Sequence, residues 1–402
     1  MKEGNKRIMI SYSDGQISVI RQTPAINSAS SSFTEKDAQN ALRFHRSLPD
    51  YRETPLVSLA CAAERYGIGS VFVKDESFRF GLKAFKGLGG SYGMFRILCD
   101  RLSVNPETAD YKTFLDSDIR KKCGSIEFAT ATDGNHGKGV SWAAKLFGCK
   151  AHVFMPKGTV EARRRAIESA GSAAAEITDL NYDQTVNYAA ELAEKNGWIL
   201  IQDTSRSGYE RIPYWITEGY LTMIAEALDQ MRGKVPTHVF LQAGVGSMAG
   251  GIESYLMNRF RDNKPLIAIA EAAEAACIFQ SVLAGDGKPH SIAGNPVTIM
   301  AGLNCGTPCG IVWPVIRDGS SFFCACSDGV AETGMRAYAG PVGNDPPIIS
   351  GESGAVTYGL LISILKNDEL RKQFGFHPDS AVLLISTEGA TDPDGYARAV
   401  LR

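Results

Sequence analysis

The chain predicts an α/β protein of two lobes, each an open, twisted, mostly parallel sheet flanked by helices. Three observations carry that expectation. Apolar runs of strand length recur at 71–73, 126–131, 151–155, 173–177, 198–201, 237–241, 266–270, 321–324 and 381–385. These runs lack apolar/polar alternation, as strands buried on both faces do. Helical patterns separate them, and strands linked through helices pair in parallel by right-handed crossovers. Nine strands exceed one comfortable small sheet, so two lobes suit the 402 residues better than one.

Taken in order, the polar stretch 21–37, with Ser28 and the run Ser30, Ser31 and Ser32, reads as an arm or loop before a helix at 35–48. A second helical pattern covers 87–99, and a third begins near Lys138. The four runs from 126 to 201 are joined by short, regular helices at 160–170 and 182–196, which makes them one compact group. The expected division is a large lobe of residues 1–90 and 211–402 with a small lobe, 91–210, inserted in it. Internal repeats and low-complexity tracts are absent from the sequence.

Charge excludes several partners. Lys plus Arg number 42 against 44 for Asp plus Glu, a net charge of -2, which gives no electrostatic footprint for nucleic acid or an anionic membrane. Nine cysteines lack paired C-x-x-C spacing, and the six histidines do not pair at i, i+3 or i, i+4, so no metal centre is expected. No run of 18 apolar residues occurs and the start does not read as a signal peptide, so a cytoplasmic protein with reduced thiols is expected. Small polar ligands are the better guess for a partner.

Four segments carry chemistry. Thr132, Asp133, Gly134, Asn135, His136 and Gly137 stand where a strand turns into a helix, a place where backbone N–H groups face an anion. Asp133 is itself an acid there, which is unfavourable unless the ligand also carries positive charge. The run Gly244, Val245, Gly246, Ser247, Met248, Ala249, Gly250 and Gly251 follows a strand and opens a helix. Its glycines let the backbone approach a phosphate, although a plain tight turn would look the same. Lys83 and Lys86 precede a helix, and a lysine losing solvent among Phe85, Leu88 and small residues becomes a candidate for a Schiff base; a solvated lysine is the bland alternative. One such lysine plus one phosphate loop suggests pyridoxal phosphate.

The fourth segment, Ser386 and Thr387, ends the last strand, where a hydroxyl either meets a pyridine nitrogen or only caps a turn. Asp203, at the tip of another strand, is either a ligand contact or a helix cap. Glu352, at a helix start, either faces the cofactor or only favours the helix dipole.

In order, Ala84, Phe85 and Lys86, then the 132–137 turn, the glycine loop, Gly351–Glu352–Ser353–Gly354 and Ser386–Thr387–Glu388–Gly389 resemble the fold-type II pyridoxal-phosphate enzymes, the tryptophan synthase β group. Further stretches, among them Lys74–Asp75–Glu76–Ser77, Asn181–Tyr182–Asp183, Gln202–Asp203–Thr204 and Gly343–Asn344–Asp345–Pro346, make the chain more closely similar to the diaminopropionate ammonia-lyase family over residues 40–402. The resemblance implies that Lys86, not Lys83, is the Schiff-base lysine. It places Asn135 beside the pyridoxal ring. Gly244, Val245, Gly246, Met248, Ala249 and Gly250 cradle the phosphate, with Glu352 near the cofactor and Ser386 or Thr387 at the pyridine nitrogen. A hydroxyl there, rather than an acid, leaves that nitrogen largely unprotonated.

The implied reaction is that of a carbon–nitrogen lyase, a homodimer that eliminates ammonia from 2,3-diaminopropionate to give pyruvate and two ammonia. Thr132, Asp133, Gly134, His136, Tyr182 and Asp203 would contact substrate, with Lys86 the base for the L-isomer and Asp133 for the D-isomer. An ion pair between Asp133 and a substrate β-ammonium at ~4 Å is worth about 4 kcal/mol before desolvation at an effective dielectric near 20. Asp133 could instead only cap the helix. Two departures stand out: Lys83 where a neutral residue is expected, and Arg206–Ser207 in place of a Trp-Glu-like pair. The competing readings are a serine, threonine or hydroxyaspartate dehydratase or β-replacement enzyme of the same fold, and a non-catalytic pyridoxal-phosphate protein. Cys277 and Cys305 lie in loops that could approach the site entrance; a bridge is open to them, and the cytosolic reading leaves them reduced.

Overall fold

The computed structural model describes residues 9–25, 32–132, 134–171, 173–294 and 296–401. The strands among them are β1 (Ile10–Ser13), β2 (Ile17–Arg21), β3 (Leu56–Ser58), β4 (Ser70–Asp75), β5 (Glu127–Ala131), β6 (Lys150–Met155), β7 (Ala173–Ile177), β8 (Ile199–Leu200), β9 (His238–Gln242), β10 (Leu266–Ala272), β11 (Phe322–Cys326) and β12 (Ala381–Ser386). All nine strands expected from apolar runs are present. Among the described residues no helix is long and apolar enough to cross a membrane.

The chain divides into two compact units. One comprises Met1–Glu35, Thr54–Phe78 and Glu226–Arg402 and holds an eight-stranded sheet in the order β1-β2-β11-β10-β9-β12-β4-β3. Its five inner strands, β11 to β4, run parallel, with registers such as Ala268 opposite Phe322 and Ala381 opposite Ser70. Strands β9 and β11 are buried at every residue, which is why they carry no alternation. Parallel pairing brings Gln242, Cys326 and Ser386 to the same end of the sheet, the carboxyl end where ligands of such sheets bind.

Both edges of this sheet are antiparallel, and neither edge was expected from the apolar runs. The hairpin β1–β2 turns at Asp14–Gly15, where Gly15 has φ +84° and the Asp14 carboxylate accepts from the N–H groups of Gln16 and Ile17 at 2.9 Å. An Asp-Gly turn is a strong hairpin signal, but β1 is exposed and short, so its apolar pattern is weak. β3 is shorter still, three residues lying antiparallel to β4.

The second unit comprises Lys36–Glu53 and Arg79–Ala225 and holds a four-stranded, all-parallel sheet in the order β7-β6-β5-β8. It is wider than residues 91–210, because the helix Lys86–Leu102 packs on the helix Asn135–Phe147 through glycines. A side chain at Gly139 would lie 2.9 Å from the carbonyl carbon and oxygen of Lys86, and one at Gly90 would lie 3.0 Å from the Gly139 backbone. That close approach ties the start of the Lys86 helix to this unit. Phe44, Phe95, Phe114 and Phe147 fill the space behind it, with Phe44 and Phe95 stacked at 4.3 Å.

Candidate active site

In the second unit, Lys86 is the first residue of the helix Lys86–Leu102. Its side chain is 19% exposed, and its ammonium pairs with the Asp203 carboxylate. The rings of Phe85 and Tyr220 lie 5.2 and 5.6 Å from Nζ, so the cation sits against aromatic faces. Lys83 is exposed, in a left-handed conformation with φ +57°. Nearby, Lys138 donates to the Leu82 carbonyl at 2.6 Å, and burial, with Lys83 as a second cause, holds its pKa down.

Asp203 is held in place through Gln202. The Gln202 side chain docks on the tip of β5, donating to the Ala131 carbonyl at 3.0 Å and accepting from the Ala131 N–H at 3.1 Å and the Thr130 hydroxyl at 2.9 Å. Tyr182 is half-buried, its hydroxyl 3.5 Å from Gln202 Nε2. Burial alone would raise the Asp203 carboxyl, but the Lys86 ammonium and then His136 outweigh it and hold the group below the usual carboxylate range. His136 is buried; its Nε2 donates to the Ile201 carbonyl at 2.9 Å, and its Nδ1 stands 3.9 Å from Asp203. Burial keeps this imidazole below its ordinary pKa.

The 132–137 turn adjoins these groups in sequence. The Thr132 hydroxyl accepts from the N–H groups of Gly134 at 3.0 Å and Gly137 at 3.2 Å, which folds the turn onto the helix start. Asn135 opens the helix Asn135–Phe147 and is half-buried. Asp133 lies outside the described residues. Structure thus brings Lys86, His136 and Asp203 together, with Thr132, Gly134 and Asn135 on the turn leading to His136.

The phosphate-side residues belong to the first unit. Strand β9 ends at Gln242 and the helix Ser247–Phe260 begins after Gly246, which has φ +90° and which any other residue would strain. Met248, Ala249 and Gly250 are buried, and among the described residues no side chain caps this helix. A buried helix start without a capping side chain leaves donors for a ligand, and an anion also complements the helix dipole. The loop is fixed from outside by Cys309, whose N–H donates to the Val245 carbonyl at 2.7 Å. A side chain at Gly244 would meet Cys305 Sγ at 3.0 Å. Cys277 and Cys305 are unbridged, and burial pushes the Cys277 thiol up.

Glu352 opens the helix Glu352–Lys366 and is buried. The Ser386 hydroxyl donates to that of Ser350 at 2.8 Å, and the Thr387 hydroxyl accepts from the Gln242 amide at 3.0 Å. Sequence reasoning passed over Gln242; its one signal was a polar amide closing an otherwise apolar strand. The uncapped helix start at Ser247 and the polar strand tips around Thr387 fit a ligand that carries a phosphate and a ring nitrogen.

Comparison with known proteins agrees with this chemistry. A family model described as pyridoxal-phosphate dependent enzyme matches residues 48–388. The diaminopropionate ammonia-lyase of Salmonella typhimurium is 47% identical over 88% of this chain and 89% of its own length, and that of Escherichia coli is 43% identical over 92% of each. The crystal structure of the Escherichia coli enzyme in complex with D-serine superposes with a TM-score of 0.89 at 40% identity, covering 96% of this chain and 97% of that one. The same enzyme with an aminoacrylate-PLP azomethine reaches 0.86. The chain therefore belongs to the pyridoxal-phosphate dependent enzymes of fold type II and, within them, to the diaminopropionate ammonia-lyase family.

Proposed function

We propose that this protein is a carbon–nitrogen lyase which, with pyridoxal phosphate, converts 2,3-diaminopropionate and water to pyruvate and two ammonia, from the L-isomer and from the D-isomer. The observation that carries the reading is the partly buried pairing of Lys86 with Asp203 beside His136, a cationic amine and a fixed carboxylate in one place. Bound pyridoxal phosphate supplies an electron sink for the charge left at the substrate Cα once a proton is removed. Lys86 would hold the cofactor through its aldehyde, and the Lys86 amine would be the base for the α-proton of the L-isomer. Backbone N–H groups of residues 133 to 136 would grip the substrate carboxylate. Asp133 would pair with the β-ammonium and serve as base for the D-isomer, with Asp203 and Tyr182 completing the substrate contacts. The β-ammonium departs as neutral ammonia, so breaking that bond requires no acid. Gly244, Val245, Gly246, Met248, Ala249 and Gly250 would hold the phosphate, Asn135 would lie beside the ring, Glu352 would face the cofactor, and a hydroxyl at the end of β12 would meet the ring nitrogen.

A homodimer, on the strength of the family, and a cytoplasmic location, on the sequence's unpaired cysteines and lack of a signal-like start, are part of the same proposal. The test is to purify the chain with pyridoxal phosphate, look for the yellow colour, and measure pyruvate release from D- and L-diaminopropionate and from D- and L-serine. Faster release from the diamino acids is the expected result. Turnover of serine alone would make the protein a dehydratase, and a colourless protein would overturn the reading altogether.

A further inference from the structure

Two hydroxyls, Ser386 and Thr387, compete for the ring nitrogen, and one buried amide beside them has no role in the reaction as described. That amide is Gln242, 3% exposed at the end of β9. Its Nε2 lies 2.9 Å from the Ile385 carbonyl oxygen, 3.0 Å from Thr387 Oγ1 and 3.2 Å from the Ser353 carbonyl oxygen. The two carbonyls decide which end of the amide points there, because Oε1 in that place would face two other acceptors. With nitrogen so placed, Thr387 Oγ1 must accept, since an amide NH2 offers no lone pair to a hydroxyl.

The Thr387 hydrogen is therefore directed elsewhere, and among the described residues no acceptor takes it. Ser386 differs. It is fully buried, and its hydrogen goes to Ser350 Oγ at 2.8 Å. Gln242 holds this arrangement although its own Oε1 has no partner among the described residues. An unpaired buried acceptor is unfavourable, so the orientation is imposed by its neighbours rather than preferred by the amide.

We propose that Gln242 is a positioning residue that locks the Thr387 hydroxyl as a donor, and that Thr387 rather than Ser386 gives its hydrogen to the ring nitrogen of pyridoxal phosphate. This rests on the cofactor assignment above. With one of its two lone pairs taken by Gln242, the hydroxyl keeps its hydrogen for a free-base nitrogen and retains only one lone pair for a protonated one, which favours the free base. Gln242 thereby sets the protonation state of a ring it does not touch.

The experiment is nitrogen-15 magnetic resonance of the holoenzyme reconstituted with ring-labelled pyridoxal phosphate, which separates free base from pyridinium without turnover. The wild type is expected to show the free base, Thr387→Val to move the resonance and Ser386→Ala to leave it in place. Gln242→Glu offers Thr387 an acceptor and turns its lone pair outward, so the ring nitrogen should protonate about one pH unit higher, a tenfold change in that equilibrium. Should Gln242→Glu fail to fold, Gln242→Met removes the donor alone, and its resonance should move toward that of Thr387→Val. A Gln242→Glu or Gln242→Met holoenzyme that titrates as the wild type would overturn the lock. Movement in Ser386→Ala but not in Thr387→Val would overturn the choice of hydroxyl. A wild type that binds no pyridoxal phosphate would instead overturn the cofactor assignment.

Discussion

The two lysines show how far a residue's chemistry can be read before its surroundings are known. Lys83 and Lys86 are equally polar in sequence, yet the first is exposed and the second is drawn against Phe85 and Tyr220 and paired with Asp203. Composition alone left the two undistinguished, since Phe85 lies within two residues of both; the family resemblance singled out Lys86. Gln242 was illegible for another reason: its partners Ser353, Ile385 and Thr387 lie 111, 143 and 145 residues away, and only the folded sheet gathers them. For Asp133, the proposed division of labour between two bases has a sharp consequence. Asp133→Asn should slow turnover of D-diaminopropionate by ~10²–10⁴-fold, the usual weight of a general base, while L-turnover persists. Pyruvate assays on the separate isomers check it; loss of L-turnover with D-turnover spared would reverse the assignment.

Among elements, the strand–helix alternation was legible because strands buried on both faces and helices of regular period leave distinct patterns. The packing of the Lys86 helix was not, because glycine contacts carry no periodicity. Gly139→Ala places a methyl group 2.9 Å from the Lys86 carbonyl, against backbone that cannot swing aside as a flexible side chain would. The expected loss is about 1–3 kcal/mol of stability, seen as a lower urea midpoint, together with reduced kcat as Lys86 shifts. The same helix carries Tyr92 and Arg96, which bond the buried Glu218 of the helix Arg211–Gln230 at 2.7 and 2.9 Å. Burial, against the pull of Arg96, pushes the Glu218 carboxyl from 4.5 up to about 7. Between those values the folded chain keeps a proton that the unfolded chain has released, so this group's contribution to stability falls as pH rises through the interval and levels off above it. Replacing Glu218 with Gln should flatten the fall, measured as a smaller change in urea midpoint between about pH 5 and pH 7.

For the whole molecule, two lobes were expected and two compact units are found, but the large sheet is longer than the apolar runs foretold. What they missed lies at its margins: β1, β2 and β3 are antiparallel and only three to five residues long, too short to stand out as apolar runs. The β1–β2 hairpin covers an edge of the sheet. Beneath β2 lies β11, Phe322–Cys326, five residues buried without exception and paired with Ile17–Arg21 along their length. Stripped of the hairpin, it would present a flat, apolar row of open N–H and C=O groups, the template on which separate chains stack into cross-β aggregates. Removing residues 9–21 should accordingly leave a protein that scatters light and precipitates on concentration while the full chain stays clear. In place of that template, the hairpin leaves β1 as the outermost strand, four residues of which Ser11, Tyr12 and Ser13 are polar, a short selvedge that offers neighbouring molecules less to knit onto than five buried apolar residues would.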